Sequence, residues 1–226
     1  MLKIVGLTVV YGGKEILKDL HFESIKPEII GLVAPNGTGK TTLLKSLAGL
    51  IQPTLGRVEI QEYTIKEREK YLKNLFFIEN VDSLNMNFTP IEYLNYVKSI
   101  WHSTIDCQMI LTTLKMDNYK SMKLKRLSLG MKQHVLIAMA LVSDAQIILL
   151  DEPMNGLDPT SLKIVSKCLL KLKQQGKVIL FSSHILLNVD AIADRTFFIK
   201  NKSISYILDY QREGKTAQII YDELYD

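Results

Sequence analysis

The chain has 226 residues, of which 47% are hydrophobic and 23% charged. That balance fits a folded globular protein of one large domain or slightly more, and it excludes disordered, collagenous and disulfide-scaffold classes. By itself a net charge of +4, from 28 basic and 24 acidic side chains, neither demands nor excludes a nucleic-acid partner, though none is expected.

Short β-branched runs at residues 2–10, 19–25 and 28–33 predict three strands, with the turn residues Tyr11-Gly12-Gly13-Lys14 between the first two. A helix is predicted over 40–50, with Leu43, Leu44, Leu47 and Ala48 on one face. A turn at 53–56 and a strand at 57–60 follow, then a short strand at 75–78 and an Asn-rich loop over 79–88. Helical spacing over 91–101, 105–116 and 132–142 predicts a helical lobe of about 88–142 inserted in the core. Residues 147–150 are wholly apolar, as a central parallel strand requires. A helix over 161–175 ends at Gly176, a buried strand follows at 178–181, and a hairpin over 195–200 and 203–208 turns at Asn201-Lys202. The tail 209–226 reads equally as helix or last strand. The fold class is therefore α/β, with a mainly parallel core sheet and an antiparallel N-terminal portion.

Cys107 and Cys168 lack CxxC spacing, so free thiols in a reducing compartment are expected. No run approaches the length of a bilayer span, and the first residues lack a signal-peptide pattern. The expected location is cytoplasmic. His21 and His102 read as surface residues and Trp101 as core. Lys115, Lys120, Lys123, Lys125 and Arg126 read as a solvated basic face, with lipid head groups as the lesser alternative.

Two segments carry chemistry. Asn36-Gly37-Thr38-Gly39-Lys40-Thr41-Thr42 stands between a buried strand and a helix. Glycines there let backbone N–H groups close around phosphates, and the helix N-terminus adds a positive dipole. Lys40 would reach the β- and γ-phosphates, and the Thr41 hydroxyl would ligate Mg²⁺. Ala34 stands where the strict phosphate-loop pattern has Gly; one methyl is tolerated if the backbone there needs no positive φ. The bland alternative is a glycine-rich turn with no ligand. Some 110 residues later, the apolar strand 147–150 ends in Asp151-Glu152. Asp151 can hold Mg²⁺, and Glu152, pointing differently, can polarise an attacking water as general base.

Further segments keep a family's order: Tyr11 before the phosphate loop, Leu127-Ser128-Leu129-Gly130-Met131-Lys132-Gln133 before the acidic strand, Gly156-Leu157-Asp158-Pro159 after it, and Ser182-Ser183-His184 on the next strand. Together they resemble the nucleotide-binding subunits of ABC transporters over nearly the whole chain, and the Leu-Ser-x-Gly-Met form resembles bacterial exporters of antimicrobial peptides and drugs. The resemblance implies a P-loop NTPase fold and ATP and Mg²⁺ as ligands. It implies two domains sandwiching ATP head to tail, as homodimer or heterodimer. It also implies a transmembrane permease on a separate chain, which places this chain peripherally at the inner face of the cell membrane.

By the same resemblance, Tyr11 would stack on adenine, and Asn36, Gly37, Thr38, Gly39, Lys40, Thr41 and Thr42 would hold the phosphates. Ser128 and Gly130 would touch the γ-phosphate on the opposite subunit, and Asp158 would carry contacts across the interface. His184 would bind the γ-phosphate and position the water for Glu152. Residues 79–96 would dock the permease. Besides Ala34, five positions depart from the pattern, among them Met131 where Gln is common and Asn201 where a turn Gly is common. Glu79 stands where Gln is usual, as a nucleotide contact and Mg²⁺ ligand that brings an extra negative charge. Leu129 replaces a common Gly, and His134 stands where Arg often follows. A soluble ABC ATPase without a permease, and a subunit that binds ATP but hardly hydrolyses it, are the alternatives the sequence leaves open.

Overall fold

A computed structural model describes residues 1–226. β1 (Leu2–Tyr11) and β2 (Lys14–Ser24) form a hairpin whose buried residues Leu2, Ile4, Leu7 and Val9 meet Leu17, Leu20 and Phe22. β2 begins at Lys14 rather than 19, because Tyr11 pairs with Lys14 across Gly12-Gly13, both at positive φ. β3 (Glu28–Val33) is buried along its length and leads into α1 (Lys40–Leu47). α1 stops short of residue 50 because Ala48 caps it and Gly49 turns left-handed. β4 (Leu55–Ile60) completes an antiparallel sheet of order β2-β1-β4.

α2 (Arg68–Lys73) has no counterpart in the sequence reading, because it buries only Tyr71 and shows no apolar stripe. β5 (Leu75–Ile78) matches its predicted bounds, and residues 79–88 are irregular apart from a 3₁₀ turn at Val81–Ser83. α3 (Pro90–Trp101) starts with a capping box between Thr89 and Glu92. α4 (Cys107–Thr113) is shorter than predicted, since Asp106 caps its start and Leu114 its end. α5 (Leu129–Ser143) begins three residues before the predicted 132, capped by the Ser128 hydroxyl. β6 (Ile147–Leu150), α6 (Pro159–Gln174) and β7 (Val178–Ser182) follow. α7 (Leu186–Ile192) was not predicted, while β8 (Arg195–Lys200) and β9 (Ser203–Asp209) form the predicted hairpin. The tail is helical: α8 (Tyr210–Glu213), then α9 (Ala217–Tyr225), anchored by buried Ala217 and Ile220.

The second sheet has the order β5-β6-β7-β3-β8-β9, with only β9 antiparallel to its neighbour. Its central strands β3, β6 and β7 are buried along their whole length, and β8 along all but its ends. Ile29, Val33, Ile148, Leu150, Ile179 and Phe181 join the core under α5 and α6, while Ile30, Leu32, Ile147, Leu149 and Leu180 join the core under α1 and the antiparallel sheet. β5 and β6 are neighbours although α3, α4 and α5 intervene in sequence, so those helices are an excursion from the sheet. Trp101 packs half-buried on Phe76 and donates to the Leu75 carbonyl at 3.2 Å. Both cysteines are buried and free, and no helix is long and apolar enough to cross a membrane. The consequence for function is at one edge. The chain leaves β3, β5, β6 and β7 on the same side, bringing the phosphate loop, Glu79, Asp151-Glu152 and Ser183-His184 to the carboxyl ends of parallel strands, where α/β sheets bind ligands.

Candidate functional site

The loop between β3 and α1 frames a cavity of about 290 Å³ lined by Ile16, Asn36, Gly37, Gly39, Lys40, Thr41, Thr42, Asp151 and Glu152. Gly39 precedes the first helical residue at φ 107°, with no side chain capping the α1 amides. A Cβ at Gly39 would stand 2.9 Å from Leu17, so both conformation and space require glycine. The uncapped amides point an N-terminal dipole at the cavity, a favourable seat for an anion. Ala34 is buried and is not in the left-handed region, so its methyl leaves the loop undisturbed. Lys40 Nζ donates to the carbonyls of Ala34 at 2.6 Å and Pro35 at 3.2 Å, and the Thr38 hydroxyl donates to Pro35 at 2.7 Å. Burial pulls the Lys40 ammonium below the ordinary lysine range, opposed by Glu152 and Asp151.

Opposite Lys40 the side chains form a chain of hydrogen bonds. Thr41 Oγ1 donates to Asp151 at 2.6 Å, and the Ser182 hydroxyl donates to the other Asp151 oxygen. The Glu152 N–H donates to Ser182 Oγ at 2.9 Å, and His184 Nδ1 lies 2.9 Å from Glu152 Oε2. Glu152 sits at φ 51°, a conformation that side chains other than glycine rarely adopt and that concentrates at functional sites. Gln133 Nε2 reaches the Glu152 carbonyl at 3.5 Å. Sequence reasoning missed Ser182 and Gln133 as site residues. Ser182 lay inside the segment read for His184, one residue past a buried strand run, and that position was its only signal.

The Thr41 hydroxyl and Asp151 carboxylate are hard oxygen donors, close together beside a phosphate seat, which fits Mg²⁺ completed by phosphates and water. No group of three or more His, Cys, Asp or Glu stands close enough to hold a metal by itself. Glu79 is not brought to this pair: its carboxylate lies 2.6 Å from Lys45 Nζ and outside the cavity lining. Tyr11 is also outside the lining, 64% exposed at the tip of the β1–β2 hairpin.

Ser128, Gly130 and Asp158 gather at a second cavity of about 270 Å³, shared with Lys115, Tyr119, Met131, His134, Thr160, Ser161 and Ile164. Ser128 Oγ accepts the Met131 N–H at 3.2 Å, leaving its own hydroxyl proton to donate elsewhere. Asp158 caps α6, accepting from the Thr160 and Ser161 amides. Leu129 is half exposed and lies over Gly156, whose φ of 71° and lack of side chain leave room for it. His134 is buried, with the Tyr119 hydroxyl 3.2 Å from Nδ1. The segment 153–158 runs from Glu152 in the first cavity to Asp158 in the second.

The family described as ABC transporter matches residues 17–155. The chain is 34% identical over 213 residues to an uncharacterised ABC transporter ATP-binding protein of Methanocaldococcus jannaschii, covering 91% of this chain and 76% of that protein. It is 32% identical over 217 residues to a lantibiotic transport ATP-binding protein of Streptococcus pyogenes, covering 95% of this chain and 92% of that one. Among solved structures, an ATP-binding subunit of an ABC transporter superposes over the full length of both chains with a TM-score of 0.90 at 24% identity, which establishes the shared fold.

Proposed function

Since this chain belongs to the ABC transporter family as an ATP-binding subunit with an ABC ATPase domain, we propose that it hydrolyses Mg·ATP in a head-to-tail dimer. Hydrolysis drives transport, in the export direction, through a separate membrane-embedded permease. The observation that carries the reading is the continuous chain from Thr41 through Asp151 and Ser182 to Glu152 and His184, facing Lys40 across one cavity.

In this reading the α1 amides, Asn36, Gly37, Thr38, Gly39 and Thr42 hold the phosphates, and Lys40 leaves its two carbonyl acceptors for the β- and γ-phosphates. Thr41 and Asp151 would hold Mg²⁺, which would supply neutralisation of phosphate charge when bound. Glu152 accepts the proton of the attacking water, and His184 holds the Glu152 carboxylate and the γ-phosphate in register. Tyr11, exposed at its hairpin tip, stacks on adenine. The second cavity is the other half of a composite site: the α5 N-terminus, with Ser128 and Gly130, points its dipole at the γ-phosphate bound to the opposite copy, and Asp158 spans the interface. ADP lacks that phosphate, so the dimer opens after hydrolysis.

The export direction is supported by 29% identity over 198 residues to a Nod factor export ATP-binding protein of Rhizobium johnstonii. Docking of the permease over residues 79–96 is supported by exposed Phe88 and Tyr96. An adjoining apolar groove of about 460 Å³, lined by Leu50, Leu72, Leu75, Phe77, Ile100 and Trp101, offers a seat for a helix. Such docking holds the chain at the inner face of the membrane. The test is phosphate release from ATP by the purified chain, with and without Mg²⁺. Lys40→Ala removes charge-assisted contacts worth about 1.5–3 kcal/mol and should weaken ATP binding at least about tenfold. Unchanged binding and turnover in that variant would remove the phosphate-loop assignment.

A further inference from the structure

Glu79 gives the site edge a carboxylate beyond Asp151 and Glu152, yet the structure does not leave it free. Its Oε1 lies 2.6 Å from Lys45 Nζ, and both side chains are about one-third exposed. Two separate constraints fix where the pair stands. Along α1, Lys45 follows Thr41 by four residues, so it lies on the same helix face about 6 Å further down the axis. Across the sheet, Ile78 pairs with Leu150 and its carbonyl accepts from the Asp151 N–H at 3.4 Å, so Glu79 leaves β5 alongside Asp151. The pair therefore borders the Thr41–Asp151 contact, while neither of its members lines the phosphate cavity.

We propose that Lys45 is a positioning residue that holds Glu79 as a neutral ion pair beside the Thr41–Asp151 edge, so that the additional carboxylate brings no net charge to the phosphate cavity. The inference rests on the ATP-binding reading above and deepens it. An ATP molecule entering the cavity carries several negative charges, and an unpaired carboxylate at that edge would oppose it. Pairing with a cation one helical turn from Thr41 cancels that opposition. It also withdraws Glu79 from the metal-ligand set that the family resemblance suggested. A unit charge on the order of 7 Å from a phosphate oxygen changes affinity about threefold at the dielectric of water.

The proposal is tested by binding rather than turnover: competition of ATP against a fluorescent ATP analogue at low salt in EDTA. Lys45→Ala, which frees the carboxylate, should weaken ATP about threefold, and Glu79→Gln, which frees the ammonium, should tighten it about threefold. Lys45→Ala/Glu79→Gln should return to the wild-type affinity, and Lys45→Arg should match it throughout. A purely structural Lys45 would leave the double variant as weak as Lys45→Ala, and that result, or equal affinities in all five proteins, overturns the proposal. A folded wild-type chain that binds no ATP overturns the functional reading itself, and this inference with it.

Discussion

The phosphate-loop cavity and the cavity at the start of α5 are made from similar parts: a helix N-terminus, a glycine and a carboxylate arriving on a loop. In the first, the side chains answer one another, Thr41 to Asp151, Ser182 to Asp151 and to the Glu152 amide, and Glu152 to His184. In the second, Ser128 and Asp158 each satisfy only their own helix, and Leu129 remains half exposed. Side chains that hold one another in fixed geometry are preorganised for chemistry on a bound anion. A helix start whose polar atoms are capped but still open to a ligand is suited to completing a site built on another copy. The loop 153–158 joins the two, so a change of state at Glu152 has a short covalent route to the second cavity.

Substitutions that separate the two cavities give the sharpest contrasts. Glu152→Gln should keep ATP binding and lose on the order of a hundredfold in turnover, trapping an ATP-bound dimer visible by light scattering. Normal turnover with a monomer throughout would break the assignment of the first cavity as the seat of chemistry. Gly130→Asp places a negative charge at the second cavity, where a backbone with ordinary φ accepts the side chain. It should leave ATP binding to the monomer within about twofold while lowering turnover at least about tenfold. If ATP binding collapsed instead, the second cavity would belong to the same-chain nucleotide site.

The smallest effect concerns pH. Burial holds the His134 imidazole below the ordinary histidine range, against the pull of Asp158. Its folded pKa is therefore the lower one, and the unfolded chain takes up the proton first as pH falls. Stability should be complete above the ordinary histidine pKa and decline below it. The denaturation midpoint should fall between about pH 7.5 and 5.5 by more in the wild type than in His134→Gln. Equal pH dependence in both proteins would show that the ring pays no burial penalty.

Local chemistry was readable in the sequence wherever it depends on short spacing. The loop 36–42, the acidic end of the 147–150 strand and the His184 strand end all stand together in the fold, because each leaves a buried parallel strand on the same side of one sheet. The contacts of Ser182, Gln133 and Lys45 were not readable, since each depends on which distant element lies alongside. Glu79 shows the point well: as a residue type it suits a metal, and only the position of α1 reveals that Lys45 holds it. Helices α2 and α7 escaped for a different reason, being too short to develop a periodic apolar face.

In the proposed dimer the two cavities act together across two copies rather than within one. Mixing Lys40→Ala with Gly130→Asp tests it directly. Each homodimer has every site damaged, but a mixed head-to-tail dimer has one site combining an intact phosphate loop from one copy with an intact α5 start from the other. ATPase activity in the mixture should rise well above that of either variant alone. Activity that stays at the level of the separate variants, although light scattering shows that mixed dimers form with ATP, would rule out a nucleotide site shared between two copies.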